Sequence, residues 1–132
     1  PANDVSDSNP QPLFDHIVDQ LNALKLVYIH VIEGATGGPR DIAPFDYDSL
    51  RKRFSGTYIA NNGYDFKLAT EVLEKNKADL IAFGKLFISN PDLVERLKLG
   101  APLNDFDKAT FYGGGAKGYT DYPVLGRQAA AE

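Results

Sequence analysis

Two short stretches combine residue types suited to holding an anion. Ala60-Asn61-Asn62-Gly63-Tyr64 offers a small residue, two asparagines that tolerate unusual dihedrals, and a glycine. Backbone N–H groups in such a turn can converge on a phosphate. Ala82-Phe83-Gly84-Lys85 offers a glycine that permits close backbone approach, with a cation beside it. Each is a weak signal alone, because Asn-Gly is an ordinary turn and Gly-Lys is commoner still. Glu33-Gly34-Ala35-Thr36-Gly37-Gly38-Pro39-Arg40, with Asp41, is too rich in glycine for a rigid catalytic platform. It reads as a mobile lid or substrate loop, with a plain connector an equal alternative. Tyr112, Tyr119 and Tyr122 exceed what a Gly-rich tail needs, and aromatics there could wrap a pocket and stack on a planar ligand.

Other chemistries find less support. The chain has 2 histidines and 0 cysteines, which excludes thiolate zinc sites, cysteine nucleophiles and a histidine-built metal cluster. His16 reads as a solvated helix residue and His30 as a hydrogen-bonded core residue of a strand. No Ser/His/Asp set, P-loop or metal motif is present, and no residue is nominated as metal-binding.

The elements that must position these residues follow a regular order. Asn9-Pro10 opens a helix in which Leu13, Phe14, Ile17, Val18, Leu21 and Leu24 form one wide apolar stripe. Leu26 to Ile32 is a β-branched and aromatic run without clean alternation, as in a strand covered on both faces. A helix is predicted over Asp46–Phe54, a strand over Thr57–Ala60, a helix over Asp65–Asn76 with Leu68, Val72 and Leu73 inward, and a strand over Asp79–Gly84. Asn90-Pro91-Asp92 predicts an N-cap, Leu93, Val94 and Leu97 a buried side, and Gly100 a stop. The run Arg51, Lys52, Arg53 reads as a solvated helix face.

Alternating strands and helices imply right-handed crossovers and a parallel sheet. In such a sheet the strand-to-helix loops at the C-terminal strand ends carry binding and catalysis. That is where both anion-suited stretches fall. Three strands are too few for a flavodoxin-like sheet or a closed (β/α) barrel. The pattern is that of the last three strands of a barrel, and the chain reads as incomplete.

Composition bounds the rest. The 132 residues suffice for one domain, and 43% hydrophobic with 24% charged residues indicates a globular protein. With 14 Lys+Arg against 18 Asp+Glu the net charge is −4, which argues against nucleic-acid binding through a broad basic surface. No apolar run approaches the roughly 20 residues of a membrane helix and no signal peptide opens the chain, so a cytoplasmic location is expected. There are 0 methionines, and the chain begins Pro-Ala-Asn-Asp. Either an initiator was removed or this is part of something longer.

Phe83-Gly84-Lys85-Leu86-Phe87-Ile88-Ser89-Asn90-Pro91-Asp92-Leu93-Val94 is a recognisable stretch. With Thr110-Phe111-Tyr112-Gly113-Gly114-Gly115 and Gly118-Tyr119-Thr120-Asp121-Tyr122-Pro123, it closely resembles the carboxy-terminal part of the Old Yellow Enzyme family, FMN-dependent ene-reductases that include N-ethylmaleimide, pentaerythritol tetranitrate and xenobiotic reductases. The resemblance covers essentially the whole chain. It implies that residues 1–132 are about strands 6–8 of an α/β fold, a (β/α)8 TIM barrel, with Pro1 matching the proline that ends the family's fifth strand. It implies that Asn62 and Gly63, flanked by Asn61, form the FMN phosphate turn after the seventh strand, and that Gly84 and Lys85 match the Gly-Arg pair after the eighth. Lys85 departs from the family arginine, keeping the charge but losing the planar fork. The resemblance further implies that Phe111 lies by the flavin, that Tyr112 lies on the substrate side, and that the Glu33–Asp41 loop corresponds to the variable loop shaping substrate and nicotinamide access.

The family's substrate-anchoring His pair, proton-donor tyrosine, flavin-tuning threonine and basic residue near the flavin lie upstream of this chain. The implied function is therefore the C-terminal portion of an oxidoreductase that takes hydride from NAD(P)H onto FMN, and passes it by a ping-pong mechanism to an activated alkene such as an enone, maleimide or nitroalkene. The implied partner is the N-terminal portion of the same barrel, and the chain alone is expected to be inactive. The alternative is a non-catalytic half-barrel that binds FMN or phosphate ligands, or self-associates through bare strand edges.

Overall fold

The computed structural model describes residues 6–41 and 44–126, so Pro1 lies outside the described residues. The chain divides into two compact units after Ala82.

The first unit holds α1 (Pro10–Ala23), β1 (Tyr28–Ile32), α2 (Tyr47–Arg53), β2 (Thr57–Asn61), α3 (Phe66–Glu74) and β3 (Leu80–Ala82). The strands are parallel in the order β1-β2-β3, as the alternation of elements predicts. Asp46 caps α2 by accepting the Ser49 N–H at 3.0 Å, and Asp65 caps α3 by accepting the Leu68 N–H at 2.7 Å. Each satisfies a donor that a helix start leaves orphaned. Asn9 takes the N-cap position of α1 with Pro10 in the first turn, but its side chain makes no capping bond.

The basic run at the end of α2 is not a plain solvated face. Arg51 pairs with Asp79 at 2.6 Å, and Arg53 reaches Asp19 at 2.9 Å and Asp15 at 3.4 Å on α1. Only Lys52 is left as expected among the three. Asp79 also accepts the Tyr58 N–H at 2.8 Å, so one carboxylate joins α2 to the sheet.

Burial alternates along the strands. Ile29, Tyr58 and Ala60 are buried, with Val18, Leu50, Phe54, Tyr64, Ala69 and Ala78 completing this unit's core, and Tyr58 is 0% exposed. The register sets Tyr28 beside Thr57, His30 beside Ile59 and Leu80, and Ile32 beside Asn61 and Ala82. These rows lie on the opposite face, where Tyr28, Ile32 and Leu80 are all exposed. The expectation that β1 is covered on both faces is therefore not met among the described residues. His30 is likewise exposed rather than a core histidine. The α1 stripe is covered only at Val18 and partly at Leu21, and Leu73 on α3 is exposed rather than inward.

The second unit holds α4 (Lys85–Ser89), α5 (Leu93–Leu99) and a 3-10 turn (Lys108–Thr110). The predicted N-cap does not form as read. Asn90 is fully buried at the end of α4, which the sequence did not signal as a separate helix. Its amide donates to the Leu86 carbonyl at 2.9 Å, and its Oδ1 accepts the Asn104 N–H at 2.7 Å. A tertiary partner outbids the local cap, and Asp92 takes the N-cap position of α5. Leu93 is buried and Leu97 half-buried as expected, but Val94 is 55% exposed. Gly100 ends α5 in the left-handed region at φ 61°.

Arg96 is buried and carries this unit's polar interior. It donates to Asp92 at 2.7 Å, to the Pro102 carbonyl at 2.6 Å and to the Pro123 carbonyl at 2.8 Å. Burial opposes ionisation of Asp92, yet the Leu125 N–H and the Arg96 guanidinium outweigh it and hold the carboxyl below its usual value. A lowered folded pKa means stability that is present above the unfolded carboxylate value of about 3.9 and lost as pH falls through the folded one. Amide exchange at Leu125 should therefore accelerate as pH drops below about 4, after correction for intrinsic exchange. Asp92→Asn should remove that pH-dependent step.

Candidate functional site

The turn after β2 is built by two asparagines with different duties. Asn61 Oδ1 accepts the Asn62 N–H at 2.6 Å, and its Nδ2 lies 3.0 Å from His30 Nε2. Asn62 and Gly63 are both left-handed, at φ 97° and 66°. Asparagine is among the few residues with a Cβ that enters this region readily. The Asn62 amide donates to the carbonyls of Glu33 at 2.6 Å, Ala35 at 2.9 Å and Gly38 at 3.3 Å. Its side chain is thus committed to the preceding loop. What the turn offers an anion is backbone: among the described residues, neither the Gly63 nor the Tyr64 N–H meets an acceptor.

The loop after β1 is tied to the neighbouring turn and helix at Glu33, Gly34, Ala35, Gly38 and Arg40. Glu33 is 4% exposed, and its carboxylate accepts from Arg40, from the Tyr64 hydroxyl at 2.7 Å and from the Tyr58 hydroxyl at 3.5 Å. The Arg40 guanidinium lies 4.0 Å over the Tyr64 ring and also donates to its hydroxyl at 2.9 Å. Burial first, then Glu33 (chiefly by its charge at Tyr58 and by its hydrogen bond at Tyr64), pushes both phenols up, so both remain protonated donors at neutral pH. Gly34 sits at φ 76°, where a Cβ would overlap Arg40 Cα, and its N–H donates to the Tyr47 hydroxyl at 2.6 Å. Asp41 is exposed. The Glu33–Tyr64 pairing was missed in sequence reading. Its faint signal is an acid at a strand end and a tyrosine just past the next strand's turn.

In the second unit, Gly84 precedes α4 with φ −89°, so its dihedral does not demand glycine. A Cβ there meets nothing within 4 Å, so the position stays open to approach. Lys85 is exposed and makes no ion pair among the described residues. Phe111 packs against Phe106 with centroids 5.6 Å apart and touches Tyr112 edge-on at 6.0 Å. The three tail tyrosines do not share one task. Tyr119 and Tyr122 spend their hydroxyls accepting the backbone N–H groups of Tyr112 at 2.6 Å and Asp107 at 3.0 Å. Tyr112 projects furthest, at 91% exposed, and Tyr119 is also exposed. Among the described residues no group of His, Cys, Asp and Glu could hold a metal ion, and no helix is long and apolar enough to cross a membrane.

Parallel strands alternating with helices, with an Asn-Asn-Gly turn at the C-terminal end of β2, define an α/β unit with crossover helices. The profile of the NADH:flavin oxidoreductase / NADH oxidase family matches residues 3–104, and the chain belongs to that family. It is 44% identical over 131 residues to 12-oxophytodienoate reductase 1 of rice (Oryza sativa subsp. japonica), covering 92% of this chain and 33% of the relative. It is 39% identical over 126 residues to a 12-oxophytodienoate reductase-like protein of tomato (Solanum lycopersicum), covering 95% and 34%. Among solved structures it is similar to morphinone reductase, with a TM-score of 0.83 at 41% identity over 91% of this chain and 32% of that one. The old yellow enzyme of Trypanosoma cruzi gives a TM-score of 0.82 at 38% identity, over 90% and 31%. The chain spans about a third of the length of these relatives. The Old Yellow Enzyme resemblance is borne out, as is the fold class: the three strands are part of a (β/α)8 barrel.

Proposed function

We propose that residues 1–132 are the C-terminal portion of an FMN-dependent ene-reductase, active once joined to the N-terminal portion of its barrel. The observation that carries this reading is the Asn62–Gly63 turn, with successive left-handed residues and unengaged Gly63 and Tyr64 amides at the end of β2. Backbone donors of that kind suit a phosphate monoester, so the residues present fit the FMN phosphate. Asn61 and Asn62 shape the turn, Gly63 opens it, and Gly84 and Lys85 supply backbone room and positive charge. Phe111 would border the flavin and Tyr112 the substrate. The flavin, when bound, supplies hydride transfer from NAD(P)H to an activated alkene such as an enone, maleimide or nitro compound. This chain's residues bind and orient, and none of them is assigned proton donation.

The open sheet face of Tyr28, Ile32 and Leu80 supports a partner segment over it, which the missing barrel portion would provide. It equally favours the second reading, a non-catalytic half-barrel that binds FMN or phosphate ligands, or closes on a second copy of itself.

Native mass spectrometry on the purified material separates the two. One copy of this chain with a larger polypeptide and one FMN is expected, and a flavin-free homo-oligomer would sink the enzyme reading. In the assembled protein, Lys85→Arg is expected to slow FMN dissociation several-fold, because a guanidinium meets phosphate with two parallel bonds where an ammonium offers a point charge. Flavin fluorescence on dilution reads the rate, and an unchanged rate would remove Lys85 from the phosphate site.

A further inference from the structure

We propose that Tyr119 is a positioning residue for Tyr112, and that the Gly118–Tyr122 turn is a brace holding the Tyr112 ring outward for substrate. The inference rests on the substrate-side reading of Tyr112 given above.

Tyr112 adopts φ 62°, a region that an aromatic residue with a Cβ enters only when its surroundings hold it there. Packing supplies little of the hold, since the residue is 91% exposed and its aromatic neighbour among the described residues is Phe111, in a T-shaped pair. The Tyr119 hydroxyl supplies it, accepting the Tyr112 N–H at 2.6 Å.

The turn that carries Tyr119 is itself tied at several points. Its N–H and that of Thr120 both donate to the Ala116 carbonyl, at 2.9 Å and 3.0 Å. The Gly118 N–H donates to the Asp121 carboxylate at 2.7 Å. Gly118 is buried at φ 78°, and a Cβ there would overlap the Thr110 hydroxyl, so turn and 3-10 segment meet in close contact. Thr110 Oγ1 in turn donates to the Asp107 carbonyl at 2.8 Å, and Tyr122 accepts the Asp107 N–H at 3.0 Å. The turn therefore grips residues 107–112 at the start, middle and end. Two of the three tail phenols accept backbone N–H groups, and Tyr112 is the one they position. A backbone held in this conformation fixes the direction in which the Tyr112 side chain leaves the chain before any ligand arrives.

The test uses the flavin-loaded protein assembled from this chain and its upstream barrel portion, with 2-cyclohexenone as the probe. Tyr119→Phe removes one oxygen and is expected to raise amide exchange at Tyr112 at least tenfold. KM for the probe should rise several-fold, with kcat and FMN content within twofold of wild type. Tyr122→Phe, which releases only Asp107, should leave Tyr112 exchange within twofold. Unchanged Tyr112 exchange in Tyr119→Phe would overturn the brace, and faster exchange with an unchanged KM would overturn its role in positioning. Tyr112→Ala separates this failure from that of the underlying reading. If Tyr112→Ala also leaves KM unchanged, the substrate-side assignment falls and the inference with it. If Tyr112→Ala raises KM and Tyr119→Phe does not, the positioning role alone falls.

Discussion

Glu33→Gln is expected to destabilise the first unit by about 3 kcal/mol, because it removes the charge from one side of a mostly buried ion pair and leaves the other. Glu33 is the hub on which Arg40, Tyr58 and Tyr64 converge, and its side chain is almost wholly enclosed. Glutamine can still accept from the tyrosine hydroxyls, so the fold should survive with the Arg40 guanidinium unpaired over the Tyr64 ring. The lower end of the range for buried pairs applies, since Arg40 keeps part of its side chain in solvent. Protection of the amides that join β1 to β2, including the Glu33 N–H on the Asn61 carbonyl, reads the loss locally. Arg40→Met on top of Glu33→Gln should restore part of it, as double-mutant coupling requires. A loss well under 1 kcal/mol would mean that Arg40 relaxes into water and the loop is not fastened by this pair.

The second large effect falls in the other unit. Arg96→Leu keeps the aliphatic bulk but deprives the Pro102 and Pro123 carbonyls of charged donors, each worth roughly 1.5–3 kcal/mol. Pro123 anchors the tail after the tyrosine turn, and its carbonyl also accepts from Asn104 at 2.8 Å. The expected result is release of residues 119–126 with α5 intact, seen as sharp loss of amide protection at Leu125 and little change at Gly100. Equal loss at both would show that Arg96 holds the helix itself, and the tail only through it.

The lesson of the two units lies in which interactions are local. Strand and helix order was legible because apolar periodicity and β-branched runs act over a few residues, and α2, β2, α3 and β3 emerged near their predicted bounds. The Asn-Asn-Gly turn was legible for the same reason: left-handed dihedrals at Asn62 and Gly63 are set by residue type. The Asn90 cap misled because its local chemistry was right and its environment was not visible. Asn104, fourteen residues on in the chain, claims the side chain. The His30 reading failed on a related ground, since an apolar run shows that a strand can be covered on both faces but not that the cover is within the same chain.

By itself, then, the sequence determined the α/β order, the parallel sheet, the anion-suited turn and, through the motifs around Gly84, Tyr112 and Tyr119, the family. Only the tertiary structure decided what the polar side chains do with their hydrogen bonds. Whether Asn62 faces a ligand or three carbonyls, whether Glu33 meets solvent or Tyr64, and whether Tyr119 stacks or braces depend on atoms far apart in the chain. Hydrogen bonds are directional and short, so a donor's role is set by where the fold delivers an acceptor. Residue type alone leaves that choice open.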